Sequence, residues 1–185
     1  METSDSKQDY PEHLVRRVTL KSGEAITIRP IRPADADIER EFIEGLSPRS
    51  SHLRFMGGVR RASDEMVRYF TDIDYVRHMA LIATLPEDGR ERQVAVGRYF
   101  TLEDGQSCEF ALVVADTWQG KGIGYAIMTD LIREAGRKGL LKMIGSILAD
   151  NDRMITLVRD LGFDVSESDV EPGAVEARLN LGGTP

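Results

Sequence analysis

Three glycines at alternating positions, Gly120, Gly122 and Gly124, are the residues whose type and spacing best suit ligand chemistry. They follow an apolar run at 108–115 and precede a helical pattern, so they mark a turn from a strand into a helix. Glycine has no Cβ atom, so a ligand can approach the backbone and several amide N–H groups can converge on it. A helix N-terminus adds about half a positive charge. The spacing therefore predicts a site for a phosphate or diphosphate.

Glu109 is the second candidate for chemistry, because it is the single carboxylate in the apolar run of strand length that precedes the turn. A carboxylate held among apolar side chains has its pKa raised, as in enzymes that use glutamate as a base. Such a base can accept a proton from a bound nucleophile. Glu109 is therefore predicted to be a general base. The alternative is a carboxylate on a sheet face that is turned to solvent.

The elements that must position these residues follow from hydrophobic periodicity. Apolar residues recur every fourth position between Gly122 and Gly139, which predicts an amphipathic helix. Alternating patterns predict a hairpin over 16–30 and a strand at 175–181, and further segments of strand length are predicted at 79–85, 94–101, 108–115, 142–148 and 163–165. The strand after the long helix should lie parallel to the strand before it. Shorter helices are predicted from Asp35, from Ser63 and from Asn151 to Gly162.

The prediction is one α/β (α+β) domain with a mixed, mostly antiparallel sheet of six to seven strands and helices on both faces. Residues 1–15 are predicted to be a flexible tail, and residues 16–185 the folded domain. A length of 185 residues with 41% hydrophobic residues suits a single core.

Charge and composition exclude several classes of function. A formal net charge of −7 argues against nucleic acid as a partner. Cys108 is the only cysteine, and no apolar run approaches the ~20 residues that cross a bilayer, so the expectation is a cytoplasmic protein with no membrane partner. His13, His52 and His78 lack the spacing of metal ligands, so no metal is predicted.

Two linked motifs carry a resemblance to a known family. The turn has the order Gln-x-x-Gly-x-Gly from Gln119 to Gly124, and a second string runs from Asn151 to the Leu-Gly-Phe ending at 161–163. Both strings resemble those of the GNAT superfamily of N-acetyltransferases, in the expected order. The segments from Leu46 to Phe55 and Glu109-Phe110-Ala111 resemble the bacterial protein-lysine acetyltransferase (Pat) branch.

The resemblance implies that acetyl-CoA is the cosubstrate and that Glu109 is the catalytic base. It implies the following cofactor-binding residues: Leu112, Val113 and Val114 through their backbone, then Gln119, Gly120, Lys121, Gly122, Ile123, Gly124 and Asn151. Each of these has a plainer alternative, namely a core strand for 112–114, a solvated lysine for Lys121 and a helix cap for Asn151.

One departure from the family concerns the general acid. Many members carry a tyrosine in the last helix, where this chain has Val158, so the acid that would protonate the leaving thiolate is unassigned. Tyr125 is a candidate substitute, although a thiol with a pKa of about 8.5 leaves well without an acid.

Three functions stay open from the sequence. The first is transfer of acetyl to the lysine Nε-amine of a protein, with acyl-CoA synthetases among the implied substrates. The second is acetylation of a small amine, and the third is an acyl-CoA-binding sensor without turnover. The oligomeric state stays open between monomer and dimer.

Overall fold

A single mixed sheet of eight strands organises the chain, whose computed structural model describes residues 9–55 and 59–182. The strands are β1 (Arg16–Thr19), β2 (Ala25–Pro30), β3 (His78–Glu87), β4 (Arg90–Thr101), β5 (Ser107–Val114), β6 (Lys142–Leu148), β7 (Asp164–Glu167) and β8 (Ala174–Asn180). Their spatial order is β1-β2-β3-β4-β5-β6-β8-β7. Among these strands only β5 and β6 pair in parallel, and the crossover between them is a long helix, as predicted.

Helices cover both faces of this sheet. They are α1 (Ala36–Glu44), α2 (Pro48–Phe55), α3 (Asp64–Thr71), α4 (Ile123–Arg137) and α5 (Asp152–Asp160). Arg98 on β4 contacts α1 and α3, whereas the neighbouring Gly97 faces α4. Successive strand residues point to opposite faces, so α1 to α3 lie on one face. Helices α4 and α5 lie on the other, where Leu157 of α5 approaches Gly124 of α4.

The predicted mixed, mostly antiparallel sheet with helices on both faces is confirmed, but the strand count of six to seven is corrected to eight. Each of the eight observed strands overlaps a segment predicted above, with the hairpin over 16–30 counted as two strands, so the correction concerns the total and not a missed strand. β1 and β7 have four residues each and each pairs on one side only. They form the two edges of the sheet.

The segment predicted as a tail, residues 1–15, is described from residue 9 onward, and residues 1–8 lie outside the described residues. Glu12–Leu14 forms a short 3-10 helix. The Tyr10 hydroxyl donates to the Pro30 carbonyl, and its ring packs edge-on against Tyr75. His13 lies 3.4 Å from Glu134 of α4. These contacts fasten residues 10–14 to the sheet and to α4.

Gly97 lets α4 lie directly on the middle of the sheet. A Cβ atom at this position would overlap the Ile127 side chain and stand 3.0 Å from Leu131. Both neighbours are fully buried, so they have no room to move. We expect Gly97→Ala to lower the free energy of unfolding by about 1–3 kcal/mol through overpacking, measured by urea denaturation.

Gly136 is the matched control for this substitution. It lies in α4, and an added Cβ atom would meet nothing within 4 Å. Alanine has a better helix propensity than glycine, so Gly136→Ala should stabilise the protein by about 0.5–1 kcal/mol. A loss of stability of similar size in both variants would contradict close packing as the cause.

Candidate active site

The sheet opens between β5 and β6. These two parallel strands pair only over three positions, of which the last is Glu109 with Ile144. Beyond that point β5 keeps its antiparallel pairing with β4 up to Val114, and β6 keeps its pairing with β8 up to Leu148. The two central strands therefore diverge into a fork, and Glu109 lies where the fork begins.

Backbone groups of β5 line one side of the fork. The Ala115 amide donates to the Val94 carbonyl at 2.8 Å, which fixes the alternation of the ladder. Amide groups of odd-numbered residues on β5, including Val113, therefore point toward β4. Those of Leu112 and Val114 point into the fork. One acceptor there is already used, since the Val114 carbonyl accepts from the Gln119 amide at 3.0 Å.

Glu109 is exposed although its strand is largely buried, so the expected desolvation by apolar neighbours is corrected. Its side chain extends from one face of the sheet, so its exposure is decided by how far the helices on that face cover it and not by the apolar residues of its own strand. Ala111, two positions along, pairs with Arg98. Glu109 therefore points to the face that carries α1, α2 and α3.

Cys108 points to the opposite face, toward α4. It is fully buried, and burial raises the pKa of its thiol to about 12. The two neighbouring side chains are thus separated by the sheet, as strand alternation predicts. The thiol is not placed to act with Glu109 as a nucleophile.

The glycine turn meets the open end of the fork. Gly120 and Gly122 adopt left-handed conformations with φ of 76° and 87°, which favour glycine, and a Cβ atom on either would meet nothing within 4 Å. Gly122 is the N-cap of α4, and among the described residues no side chain forms a cap hydrogen bond with that helix. The first N–H groups of α4 are therefore left for another acceptor.

The other two positions of the turn serve packing. A Cβ atom on Gly124 would stand 3.1 Å from Leu112 and 3.4 Å from Leu157, so this glycine allows α4 to approach both β5 and α5. The Ile123 side chain is almost fully buried in the core. Both residues present only backbone atoms to the turn.

Side chains of the turn are held by other parts of the chain. Gln119 donates to the Val114 carbonyl and accepts from Arg153 of α5 at 2.7 Å. Lys121 forms a 2.5 Å ion pair with Glu24, and its ammonium lies 4.6 Å from the centre of the Trp118 ring. Hydrogen bonds from Lys121 and Ser22 lower the pKa of Glu24 to about 2. The predicted cofactor-binding roles of both turn side chains thus compete with these contacts.

Asp116 is a site residue that sequence reasoning missed. Its carboxylate accepts hydrogen bonds from the Ser47 and Ser50 hydroxyls at 2.7 and 2.8 Å, which connects the end of β5 to the start of α2. Partial burial raises the pKa of Asp116, but the hydrogen bonds from Ser47 and Ser50 outweigh it, so the pKa is lower than its ordinary value. The partners lie 66 and 69 positions away in sequence, so no local spacing indicates them.

Asn151 and Val158 both belong to α5. The Asn151 side chain accepts from the Met154 amide at 3.3 Å, which is the helix-cap arrangement. Val158 is fully buried, so no acid is present at the position of the family's tyrosine. Tyr125, the candidate substitute, is exposed on the first turn of α4.

A buried ion pair underlies the Glu109 face. Arg98 and Glu39 are each about 1% exposed and lie 2.9 Å apart. Arg98 also contacts His78 Nε2 at 3.2 Å. Burial, together with the charge of Arg98, lowers the pKa of His78 to about 3, so this imidazole is neutral at physiological pH. Gln93 adds a 2.5 Å hydrogen bond to Glu39. This network fastens α1 to β4 beneath the fork.

Within residues 9–55 and 59–182 no group of three or more His, Cys, Asp or Glu residues is arranged to hold a metal ion. No helix in the same residues has the length and apolar character that a membrane span requires.

The sheet, the fork and the glycine turn are those of an acyltransferase. The acetyltransferase (GNAT) family matches residues 49–163. Acetyltransferase PA5475 of Pseudomonas aeruginosa is 40% identical over 146 residues, which cover 78% of each chain. The chain therefore belongs to the GNAT family and is an acetyltransferase, as predicted.

Two further relatives are of the predicted branch. Acetyltransferase Pat of Mycolicibacterium smegmatis is 28% identical over 166 residues, which cover 84% of this chain and 49% of that protein. The crystal structure of the GNAT domain of S. lividans PAT matches with a TM-score of 0.85 and 28% identity, covering 93% of this chain and 99% of that chain. The resemblance to Pat is thus found in sequence and in fold.

Proposed function

We propose that this chain, over residues 16–185, transfers the acetyl group of acetyl-CoA to the lysine Nε-amine of protein substrates in the cytoplasm, with Glu109 as general base. The observation that carries the proposal is the fork between β5 and β6, which opens beside Glu109 and ends at the glycine turn. The glycine turn suits the diphosphate of an extended cosubstrate, and the end beside Glu109 suits its thioester.

The fit to acetyl-CoA follows from the backbone. The diphosphate suits the open turn at Gly120 and Gly122, where the uncapped N-terminus of α4 supplies N–H donors and positive potential. The pantetheine arm carries two amides, which suit the backbone groups of Leu112 and Val114 that point into the fork. Gln119 and Lys121 hold the shape of the turn through their own partners. Asn151 caps α5 beside it.

The reaction needs one proton transfer and one acyl transfer. The acceptor ammonium gives a proton to Glu109, and its nitrogen then attacks the thioester carbonyl. Breaking the carbon–sulfur bond releases the CoA thiolate, and as the amide forms its nitrogen gives the second amine proton to that thiolate or to solvent. Exposure of Glu109 lets it receive a proton from a bulky acceptor and pass it to solvent.

The acceptor is proposed from the two Pat relatives, and acyl-CoA synthetases are the protein class that the branch suggests. The experiment is to supply acetyl-CoA together with folded lysine-bearing proteins, or with free polyamines and amino acids, and to measure CoA thiol release. We expect turnover with at least one protein acceptor. Turnover only with small amines would contradict the protein acceptor. Binding of acetyl-CoA with no thiol release under any acceptor would identify a sensor.

A further inference from the structure

Arg54, at the end of α2, lies on the same side of the sheet as Glu109. Its guanidinium carbon lies 5.0 Å from the centre of the Phe55 ring and 6.0 Å from that of Phe70, and the side chain is partly buried. It is also close enough to Glu39 and Glu109 to interact with both electrostatically. The positive charge is thus held by aromatic rings beside the proposed base.

Arg54 lies near two carboxylates, Glu39 and Glu109, but forms a close ion pair with neither. The nearby buried carboxylate, Glu39, is already paired with Arg98 and hydrogen-bonded to Gln93. Among the residues that the structure describes, none places a carboxylate within 4.0 Å of Arg54. Burial and the neighbouring Arg98 accordingly lower the pKa of Arg54 to about 10. A partly buried guanidinium without a close counter-ion is stabilised by any anion that can reach it.

Aromatic side chains shape the space in front of this arginine. Glu109, Phe100 and His78 are cross-strand neighbours in one row over β5, β4 and β3, so their side chains share one face. The exposed Tyr69 ring stacks on Phe100, with centroids 5.9 Å apart and planes within 11°. These rings can flank the aliphatic part of an acceptor whose amine lies at Glu109.

From this arrangement we propose that Arg54 is a specificity-determining residue that binds a carboxylate located near the acceptor amine. The inference rests on the proposed function, because it takes Glu109 as the place of the amine. A guanidinium binds a carboxylate through two parallel hydrogen bonds. Two kinds of acceptor could supply this carboxylate: a free amino acid through its α-carboxylate, or a protein through an acidic residue next to the acceptor lysine.

Two matched acceptor pairs test the proposal with the full chain and acetyl-CoA. The first pair is L-lysine and L-lysinamide. The second is a peptide with one lysine beside a glutamate and the same peptide with glutamine, both blocked at the two termini. We expect kcat/KM to be about tenfold higher for the carboxylate member of one pair, the size of a charge-assisted hydrogen bond. The pair that shows the preference identifies the source.

Variants then separate acceptor recognition from folding. The ratio of kcat/KM for the two members of a pair, measured on one preparation, does not depend on the folded fraction of the protein. Arg54→Gln should bring the ratio close to one, and Arg54→Lys should restore part of it. Arg133→Gln, an exposed arginine on α4 across the sheet, should leave the ratio unchanged.

Three results would overturn the inference. A ratio near one in the wild-type protein for both pairs would refute it and leave the acetyltransferase function intact. An equal loss with all acceptors in Arg54→Gln would show that Arg54 acts through Glu109 or through the fold. No transfer to any acceptor would remove the proposed function and the inference with it.

Discussion

Replacing Glu109 by glutamine is expected to lower kcat for acetyl transfer about 100- to 1,000-fold, because general base catalysis typically contributes 10²–10⁴. Glutamine keeps the size and polarity of the side chain but cannot accept a proton. Acetyl-CoA should bind with unchanged affinity, since the proposed binding groups are on the turn and on the backbone of β5. Thiol release with a lysine acceptor measures kcat, and calorimetric titration measures the affinity for acetyl-CoA.

The pH dependence gives this variant a second signature. Without the base, only acceptor that is already deprotonated can react. The rate of Glu109→Gln should therefore rise about tenfold per pH unit while the acceptor ammonium, with a pKa of about 10.4, remains mostly protonated. Glu103→Gln, an exposed carboxylate in the β4–β5 connection, is the control and should behave as the wild type. Wild-type turnover in Glu109→Gln would reject the base assignment.

Removing Glu39 is expected to have the largest effect on stability. The Arg98 guanidinium is about 1% exposed, and Glu39→Ala removes the carboxylate that pairs with it. Breaking a buried pair in this way typically costs about 3–5 kcal/mol. Gln93 also loses its acceptor. Guanidinium chloride denaturation gives the free energy of unfolding. The expected result is a transition at much lower denaturant concentration with a similar slope.

A double variant distinguishes the lost ion pair from a lost contact. Replacing both partners, as in Glu39→Leu with Arg98→Met, removes both charges and keeps most of the volume, so most of the lost stability should return. A double variant that is less stable than Glu39→Ala would show that the pair contributes through its geometry, by holding α1 on β4, rather than through the balance of its charges.

The local elements of this fold could be predicted because each has its own period. The helix from Ile123 to Arg137 repeats every fourth residue, and the strand Lys142–Leu148 was predicted with its observed bounds. The glycine turn was found by its spacing. Membership of the GNAT family and the acetyltransferase activity followed from the two motifs together.

The rest depended on contacts between residues distant in sequence. Arg98 and Glu39 are 59 positions apart, and Lys121 and Glu24 are 97 apart. The hydrophobic periodicity of a segment does not indicate which distant residues will form such pairs. The sequence left open whether Glu109 is buried or faces solvent, because its exposure depends on how far α1, α2 and α3 cover that face of the sheet. The composition of one strand cannot show how far helices from other parts of the chain cover its face.

The divergence of β5 and β6 leaves unpaired backbone groups in the interior of the sheet and not at its edge. Unpaired backbone on an outer border invites another chain to add a strand, with aggregation as the hazard. Here both bordering strands already pair on their other sides with β4 and β8, so a polypeptide could add only by entering between them and not by extending the sheet. An extended ligand that carries amides can instead hydrogen-bond to the backbone of Leu112 and Val114 inside the gap, so the opening serves ligand binding without creating an outer edge for aggregation.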